Sequence, residues 1–171
     1  VGFLVLEAGI YAWHRTMHNT PLLWRWFHQM HHSAERIDVF GAFYFHPLDV
    51  IAFSLVGSTS LVLIAGVTTP AAIAASLAVT FCSIFQHSNL HTPRWLGYLI
   101  QRPESHSVHH QRGRHAGNYG DIALFDILFG TFHNPRRFEG EVGYYDGASR
   151  RIGAMLVGRD VTGMAFTLFG G

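Results

Sequence analysis

The sequence contains no lysine, a single cysteine and few charged residues of either sign. All 12 basic residues are arginine, 13% of the chain is charged, and the formal net charge is +1. With Cys82 alone, the chain cannot build a disulfide framework, a multi-thiolate metal site or a cysteine-ligated iron–sulfur cluster. It also lacks the excess of cations that binds a phosphate backbone. We therefore expect no nucleic-acid partner and no sulfur-based redox chemistry.

Apolar residues, in contrast, are abundant and form two uncharged runs. Hydrophobic residues make up 49% of the chain, and the mean hydropathy is +0.17. The runs are Val50 to Val67 and Ala71 to Phe85, separated by Thr68 to Pro70. At 1.5 Å per residue they span about 27 Å and about 23 Å, against roughly 30 Å of bilayer hydrocarbon. This predicts a transmembrane helical hairpin at about 48–88.

No arginine lies within the predicted hairpin; three fall before it and nine after it. Because positive charge marks cytoplasmic flanks, we expect the segments at about 14–45 and 89–160 to face the cytoplasm of a bacterial inner membrane. The predicted fold is all-α, a single domain over 1–171 in which a membrane helical bundle carries a cytoplasm-facing, histidine-rich helical cap. We expect further membrane helices upstream of Val1, and a loosely ordered tail over Asp160 to Gly171.

Ten of the 13 histidines fall in four short clusters, two before the hairpin and two after. Within each cluster the imidazoles are three or four residues apart and would share one face of a helix. The clusters are HRTMH (His14, His18), HQMHH (His28, His31, His32), HSNLH (His87, His91) and HSVHH (His106, His109, His110). Hydrogen-bonded core histidines are the alternative, but so many desolvated imidazoles would each need a donor and an acceptor satisfied. Four clusters at one membrane face instead predict a metal site.

The number of imidazoles narrows the kind of metal site. Imidazole suits zinc, copper, iron and nickel, so the ligand type alone does not choose among them. Ten ligands suit two ions with about five each, and exceed what a closed tetrahedral zinc would take. We therefore predict a two-metal redox centre. Carboxylates should orient the imidazoles through their second ring nitrogen, and the candidates are Glu7, Asp49, Glu104 and Asp121.

The order HxxxH, HxxHH, HxxxH and HxxHH, split by an apolar hairpin, resembles the fatty acid hydroxylase and sterol desaturase superfamily. So does NYGDIALFDILFGTF over Asn118 to Phe132. The resemblance covers about Glu7 to Phe132. It implies that the ten histidines hold two Fe ions, with Zn able to occupy the site in a purified protein. It also implies an O2-dependent enzyme that hydroxylates or desaturates a sterol or fatty acyl lipid, using an external ferredoxin, cytochrome or reductase as electron donor.

The remaining residues with possible functions are less specific. His46 could cap a helix or orient Asp49, and His115 could line the site, while His133 suits a surface loop. A short amphipathic helix is predicted over Ile122 to Phe129, started by Asp121 and stopped by Gly130. Four arginines form a predicted basic surface: Arg112, Arg114, Arg136 and Arg137. This surface could dock an acidic electron carrier, but we favour the interpretation that it faces solvent and lipid headgroups.

Other functions remain open at this point. A carotenoid hydroxylase would use the same chemistry on another lipid. A non-catalytic membrane metal-binding or transport protein would place its ligands near the bilayer midplane beside acidic residues, and the two apolar runs contain none. A haem protein would need only two axial histidines per haem. The absence of an HExxH motif, which would supply a general-base glutamate, argues against zincin-type proteolysis.

Overall fold

A computed structural model describes residues 1–163, and this part of the chain is helical. Its α-helical segments are α1 (Gly2–Asn19), α2 (Pro21–Leu23), α3 (Gln29–His32), α4 (Pro47–Ser58), α5 (Thr69–Gln86), α6 (Pro103–His109), α7 (Ala123–Leu128) and α8 (Ile152–Leu156). Two π-helical segments (Trp24–His28, Thr59–Ile64) and three 3-10 segments (Gly41–Phe43, Arg94–Tyr98, Ala148–Arg150) complete the set. Over residues 1–163 the only β-type pairings are two isolated bridges. The predicted all-α class is confirmed; most of the expected tail lies outside the described residues.

Helix α4 continues into the π-helical segment Thr59–Ile64, and together they form the first rod of the hairpin. Helix α5 forms the second rod and runs back beside the first. His46 caps the first rod, its side chain accepting a hydrogen bond from the Leu48 amide, so the capping interpretation of this histidine is confirmed. Both Pro47–Ile64 and Thr69–Gln86 are long and apolar enough to cross a membrane, with mean hydropathy 1.8 and 1.4. Only 22% and 17% of the two spans is buried inside the protein. Their apolar side chains therefore mostly face outward, as lipid contact requires.

Helix α1 packs against both rods of the hairpin. Leu6 and Ile10 from α1 meet Leu61 and Ala75 in one buried apolar cluster. The approach is close at Gly9, where a Cβ atom would lie 2.5 Å from the Ser60 Oγ atom. This packing positions the C-terminal half of α1, which carries the first histidine pair, over the end of the hairpin.

A second apolar cluster holds the C-terminal segment against the histidine-bearing helices. Trp24 and Met30 pack with Tyr144, Ala148 and Met155, all of them buried. The Tyr144 hydroxyl also donates a hydrogen bond of 2.9 Å to the Gln29 carbonyl oxygen. The C-terminal segment therefore packs against the part of the chain that carries His28, His31 and His32.

Helix α7 differs from its prediction at its start. Ile122 is the N-cap residue and no side chain caps the helix; Asp121 bonds elsewhere. The predicted stop is confirmed, because Gly130 follows with a φ of +71°. Phe129 stacks on Tyr11 with ring centroids 5.3 Å apart, yet Leu128 is 65% exposed. The apolar face of α7 is therefore only partly covered by the described chain.

Candidate metal centre

Nine of the ten predicted ligands meet in two adjacent groups. Within each group, one ring nitrogen of every member lies within 4.8 Å of the others. The first group contains five residues, His14, His18, His28, His32 and His109, and the second contains four, His31, His87, His106 and His110. All nine side chains are buried. Each group takes histidines from both sides of the hairpin, as the sequence pattern predicted.

Most of these imidazoles donate their Nδ1 hydrogen to an oxygen. His28 donates to the Asp49 carboxylate at 2.7 Å, and His87 donates to the carbonyl of Ser83 at 2.7 Å. Carbonyl and carboxylate oxygens can only accept, so the Nδ1 atom carries the hydrogen and a neutral ring leaves a lone pair on Nε2. The hydrogen bonds therefore fix both the ring orientation and the tautomer.

The Nε2 lone pairs face one another. His14 and His28 both donate from Nδ1, and their Nε2 atoms lie 2.9 Å apart. The Nε2 atoms of His87 and His106 are 3.0 Å apart in the second group. In the first group the Nε2 atoms of three further ligands have no hydrogen-bond partner (His18, His32, His109). Converging lone pairs repel unless a cation lies between them, so the residues fit bound metal ions.

Burial favours the neutral form of eight of these nine rings by lowering their pKa values. It lowers the pKa of the His14, His18 and His109 imidazoles well below the usual range, and neighbouring imidazoles lower it further. The pKa of His87 falls to about 4 for the same reason. Metal ions bind the unprotonated form of histidine. The site therefore presents ligands in the protonation state that coordination requires, without having to expel protons near neutral pH.

One loop orients three imidazoles of the first group through its backbone. The carbonyl oxygens of His115, Gly117 and Tyr119 accept from the Nδ1 atoms of His18, His109 and His14, at 2.7, 2.6 and 2.8 Å respectively. These carbonyls come from alternate residues, and the loop reaches this shape with positive φ at His115, Gly117 and Asn118. We call residues 115–120 the carbonyl loop.

Gln101 connects the carbonyl loop to the second group. Its Nε2 atom donates to the carbonyl oxygens of Asn118 at 2.7 Å and Gly120 at 2.5 Å, and its Oε1 atom accepts from His106 Nδ1 at 2.5 Å. Sequence reasoning did not identify this residue. A lone glutamine carries no motif, and the only available signal was its position five residues before a histidine cluster.

His91 lies outside both groups. Its side chain is 81% exposed, and its Nδ1 atom is 3.9 Å from Glu104 Oε1. The prediction assumed that HSNLH is helical, but α5 ends at Gln86, and Asn89 adopts a φ of +54°. His87 and His91 therefore do not share a helix face, and the structure does not bring His91 to the other predicted ligands.

Two further residues, His115 and Asp49, contact the clustered imidazoles directly. The three remaining candidate carboxylates do not. The Nδ1 atom of His115 lies 3.1 Å from the Nδ1 atom of His32. Glu7 accepts from the Ile122 amide, Glu104 binds Thr92 and Arg102, and Asp121 accepts from Gln86. Of the four carboxylates proposed to orient imidazoles, Asp49 alone contacts one of the nine clustered imidazoles among residues 1–163. His133 instead pairs with Arg114, its Nε2 atom 2.6 Å from the guanidinium.

A cavity of about 640 Å³ adjoins the histidine groups. His31, His87 and His106 line one part of it, and apolar side chains such as Phe53 and Val79 line the part between the helices of the hairpin. Its size and lining suit an apolar chain whose end or middle reaches the histidines. The cavity thus joins the candidate metal centre to the membrane-facing helices.

Comparison with known proteins gives one family and no solved structure. The model of the fatty acid hydroxylase family matches residues 1–131. The chain is 33% identical to an ornithine lipid hydroxylase of Rhizobium tropici over 80% of its own length and 42% of that protein. It is 31% identical to a very-long-chain aldehyde decarbonylase of Oryza sativa (82% and 57%) and 27% identical to a Delta(7)-sterol-C5(6)-desaturase of Nicotiana tabacum (77% and 48%). No solved structure matches the chain.

The chain belongs to the fatty acid hydroxylase family. The predicted superfamily is therefore confirmed, and the matched residues include all nine clustered histidines and the carbonyl loop. The C-terminal segment that buries Tyr144 and Met155 lies beyond the match. This member of the fatty acid hydroxylase family spans about half the length of the curated relatives it matches. Its apolar hairpin and its family together identify it as a membrane protein.

Proposed function

We propose that this protein is an O2-dependent, membrane-bound di-iron oxygenase that hydroxylates or desaturates a lipid C–H bond. The observation that carries the proposal is the convergence of Nε2 lone pairs in two buried all-histidine groups beside an apolar cavity. The family match and the lipid-modifying relatives support the substrate class. Closed tetrahedral zinc sites use four ligands, whereas nine imidazoles in two groups suit two redox-active ions.

Two bound irons would supply the reductive activation of O2. Hydroxylation consumes one O2, two electrons and two protons, forming one alcohol and one water; desaturation forms one alkene and two waters. The electrons must come from a redox centre outside these 171 residues, which contain one cysteine and no dinucleotide-binding glycine motif. A ferredoxin, cytochrome or reductase is the proposed donor.

The chain's own residues hold the ligands and shield the reaction. Asp49, Gln101 and the carbonyl loop fix the imidazoles, and the buried setting excludes bulk water from the histidines. The cavity wall contributed by Phe53, Leu61 and Val79 would hold an acyl or sterol body with its reacting carbon at the histidine end. Positioning of this kind is what makes a single C–H bond reactive among many.

The proposed orientation places the histidine end at the cytoplasmic face of a bacterial inner membrane. Both ends of the hairpin adjoin the histidine groups, whereas its turn, Ala65 to Thr68, is uncharged. Arg136 and Arg137 are exposed on the same side and remain available to lipid headgroups or an acidic carrier. Arg112 is already engaged with Glu141 and Asp146, at 2.8 and 3.2 Å.

Metal content of the detergent-purified protein tests this proposal, with His109→Ala as the variant and His91→Ala as its matched control. We expect about two irons per chain, one for each histidine group, reduced in the first variant and unchanged in the control. With a chemical reductant, a lipid extract and labelled O2, label should enter a lipid alcohol or an alkene should form. A single zinc that is indifferent to His109→Ala would overturn the oxygenase proposal and favour a metal-binding or transport protein. Turnover of carotenoids only would identify the carotenoid hydroxylase.

A further inference from the structure

The cavity wall carries amide and carboxyl side chains only next to the histidines. Gln86 and Asp121 both line the cavity, and Gln86 immediately precedes His87. The wall between the hairpin helices is mostly apolar, with Leu61 and Val79 among its residues, and its polar members are small hydroxyl residues such as Ser58. An apolar lipid tail would gain nothing from polar groups at this position, and their desolvation would cost binding energy. The polar patch therefore needs a partner of its own.

The hydrogen bonding of this patch is incomplete. Gln86 is 7% exposed and donates from Nε2 to Asp121 Oδ1 at 3.1 Å, but its Oε1 atom is buried without a partner. An amide oxygen can only accept, so Gln86 Oε1 requires an N–H or O–H donor from outside residues 1–163. A buried acceptor left unsatisfied costs free energy, and supplying its donor recovers it.

Asp121 has a neighbour that affects its charge. Burial raises the pKa of its carboxyl group, and burial followed by repulsion from Asp121 raises the pKa of Glu7. The Glu7 carboxylate accepts a hydrogen bond from the Ile122 amide at 3.2 Å, and Ile122 directly follows Asp121. The two carboxyl groups are therefore close together. A carboxyl group that keeps its proton can donate as well as accept. The patch can therefore engage both the donor and the acceptor of a hydroxyl or an amide.

We propose that Gln86 and Asp121 form a polar-group subsite that binds a hydroxyl or an amide N–H of the lipid substrate close to the carbon that is oxidised. The inference rests on the proposed function and specifies the substrate class: a lipid with a hydrogen-bond donor beside its reacting carbon, in place of a plain hydrocarbon or ester chain. Because Gln86 precedes His87, a group bound here lies beside the four-histidine group. The subsite would fix the register of the chain along the cavity.

Matched ligand pairs test the subsite through binding alone. The probes are hexadecanol against hexadecyl methyl ether, and N-methylpalmitamide against N,N-dimethylpalmitamide; within each pair a methyl group replaces the hydrogen of the donor. Dissociation constants are measured by calorimetry on the metal-replete protein in detergent micelles. The donor-bearing member should bind about 10-fold more tightly, the ratio that one well-made buried hydrogen bond provides. Because each probe partitions into micelles to the same extent in every experiment, comparing this ratio between the wild-type protein and its variants cancels that contribution.

Two variants and one control test whether the ratio of the two dissociation constants depends on the subsite. Gln86→Leu should reduce the ratio to about one, and the isosteric Asp121→Asn should weaken the donor-bearing probe while metal content stays at the wild-type value. Ser58→Ala is the control and should leave the ratio unchanged. Ser58 is a polar residue of the cavity lining, nine positions beyond Asp49 on the same rod and therefore about 14 Å further along it.

The outcomes separate this inference from the function on which it rests. An unchanged ratio in Gln86→Leu with wild-type metal content, or equal binding within each pair, would overturn the subsite even if the enzyme oxidises lipids; ordered water would then satisfy Gln86. A ratio that depends on Gln86, without iron or product, would overturn the oxygenase proposal and leave a lipid-binding site. Failure of every probe to bind would contradict the subsite as well.

Discussion

At the scale of single residues, Gln101 makes two kinds of contact with one amide group. Its oxygen orients His106 of the four-histidine group, and its nitrogen holds the carbonyl loop that orients the five-histidine group. Reversing the amide would set its oxygen against two carbonyl oxygens, so the loop also determines which end of the side chain faces His106. Gln101 therefore couples the geometry of the two groups.

Replacement of Gln101 should weaken metal binding in both groups. Gln101→Leu removes all three hydrogen bonds, and contacts of this kind are worth about 10- to 100-fold in metal affinity. Chelator competition with iron or zinc measures the affinity. Gln29→Leu is the matched control, because Gln29 is equally buried but bonds to the Arg25 and Arg159 carbonyls. Equal loss of affinity in the two variants would show that Gln101 only supports the fold.

At the scale of elements, the carbonyl loop depends on Asn118. Its φ is +53°, and its side chain donates to the Ser105 and His133 carbonyls at 2.8 and 2.9 Å and accepts from the His133 amide at 2.7 Å. Asp126 holds the other end by accepting from the Tyr119 and Gly120 amides, both at 2.8 Å. Side chains, and not a regular ladder, thus maintain the shape of the loop.

Two substitutions at Asn118 should differ in their cost. Asn118→Ala loses three hydrogen bonds and places alanine at positive φ, which together destabilise the protein by about 4 kcal/mol. Asn118→Gly loses the same bonds but adopts this φ freely, so it should be about 1 kcal/mol less destabilising. Denaturant unfolding in micelles gives both values. If alanine proved as stable as glycine, backbone conformation would not be what Asn118 contributes.

Elements also show what the sequence could and could not predict. The hairpin and three of the four predicted histidine faces follow from apolar runs and from i, i+3 and i, i+4 spacing, and these are present. The carbonyl loop was not predictable as a ligand-orienting element, because backbone carbonyls carry no residue signature; the sequence shows only its Asn-Tyr-Gly turn. The position of His91 was not predictable for a related reason, since α5 ends at Gln86 although HSNLH contains no proline or glycine to mark that end.

At the scale of the whole molecule, the metal-free protein should be less stable and sensitive to acid. Removal of metal by a chelator should lower the unfolding temperature, because the facing lone pairs lose their shared cation. The imidazole pKa values in the folded protein lie below the ordinary 6.5, and that of His87 is about 4. As the pH falls, protons therefore bind the unfolded chain before they bind the folded one. The contribution of the imidazoles to stability should therefore be level above about pH 6.5 and fall from there toward pH 4, whereas the raised pKa values of Glu7 and Asp121 should lower stability as the pH rises toward about 9. The unfolding temperature against pH, with and without metal, checks this. A flat profile in the metal-free protein would show that the imidazoles are not buried.

The mixed origin of each histidine group has a consequence for biosynthesis. Four ligands of the first group are translated before the hairpin and its fifth, His109, after it; the second group has His31 before and three ligands after. Neither ion can be fully held until the ribosome has passed His110 and the hairpin has turned back. Under the proposed function, iron delivery is then a late event in maturation, because a chain interrupted within the hairpin lacks His109 and three ligands of the second group.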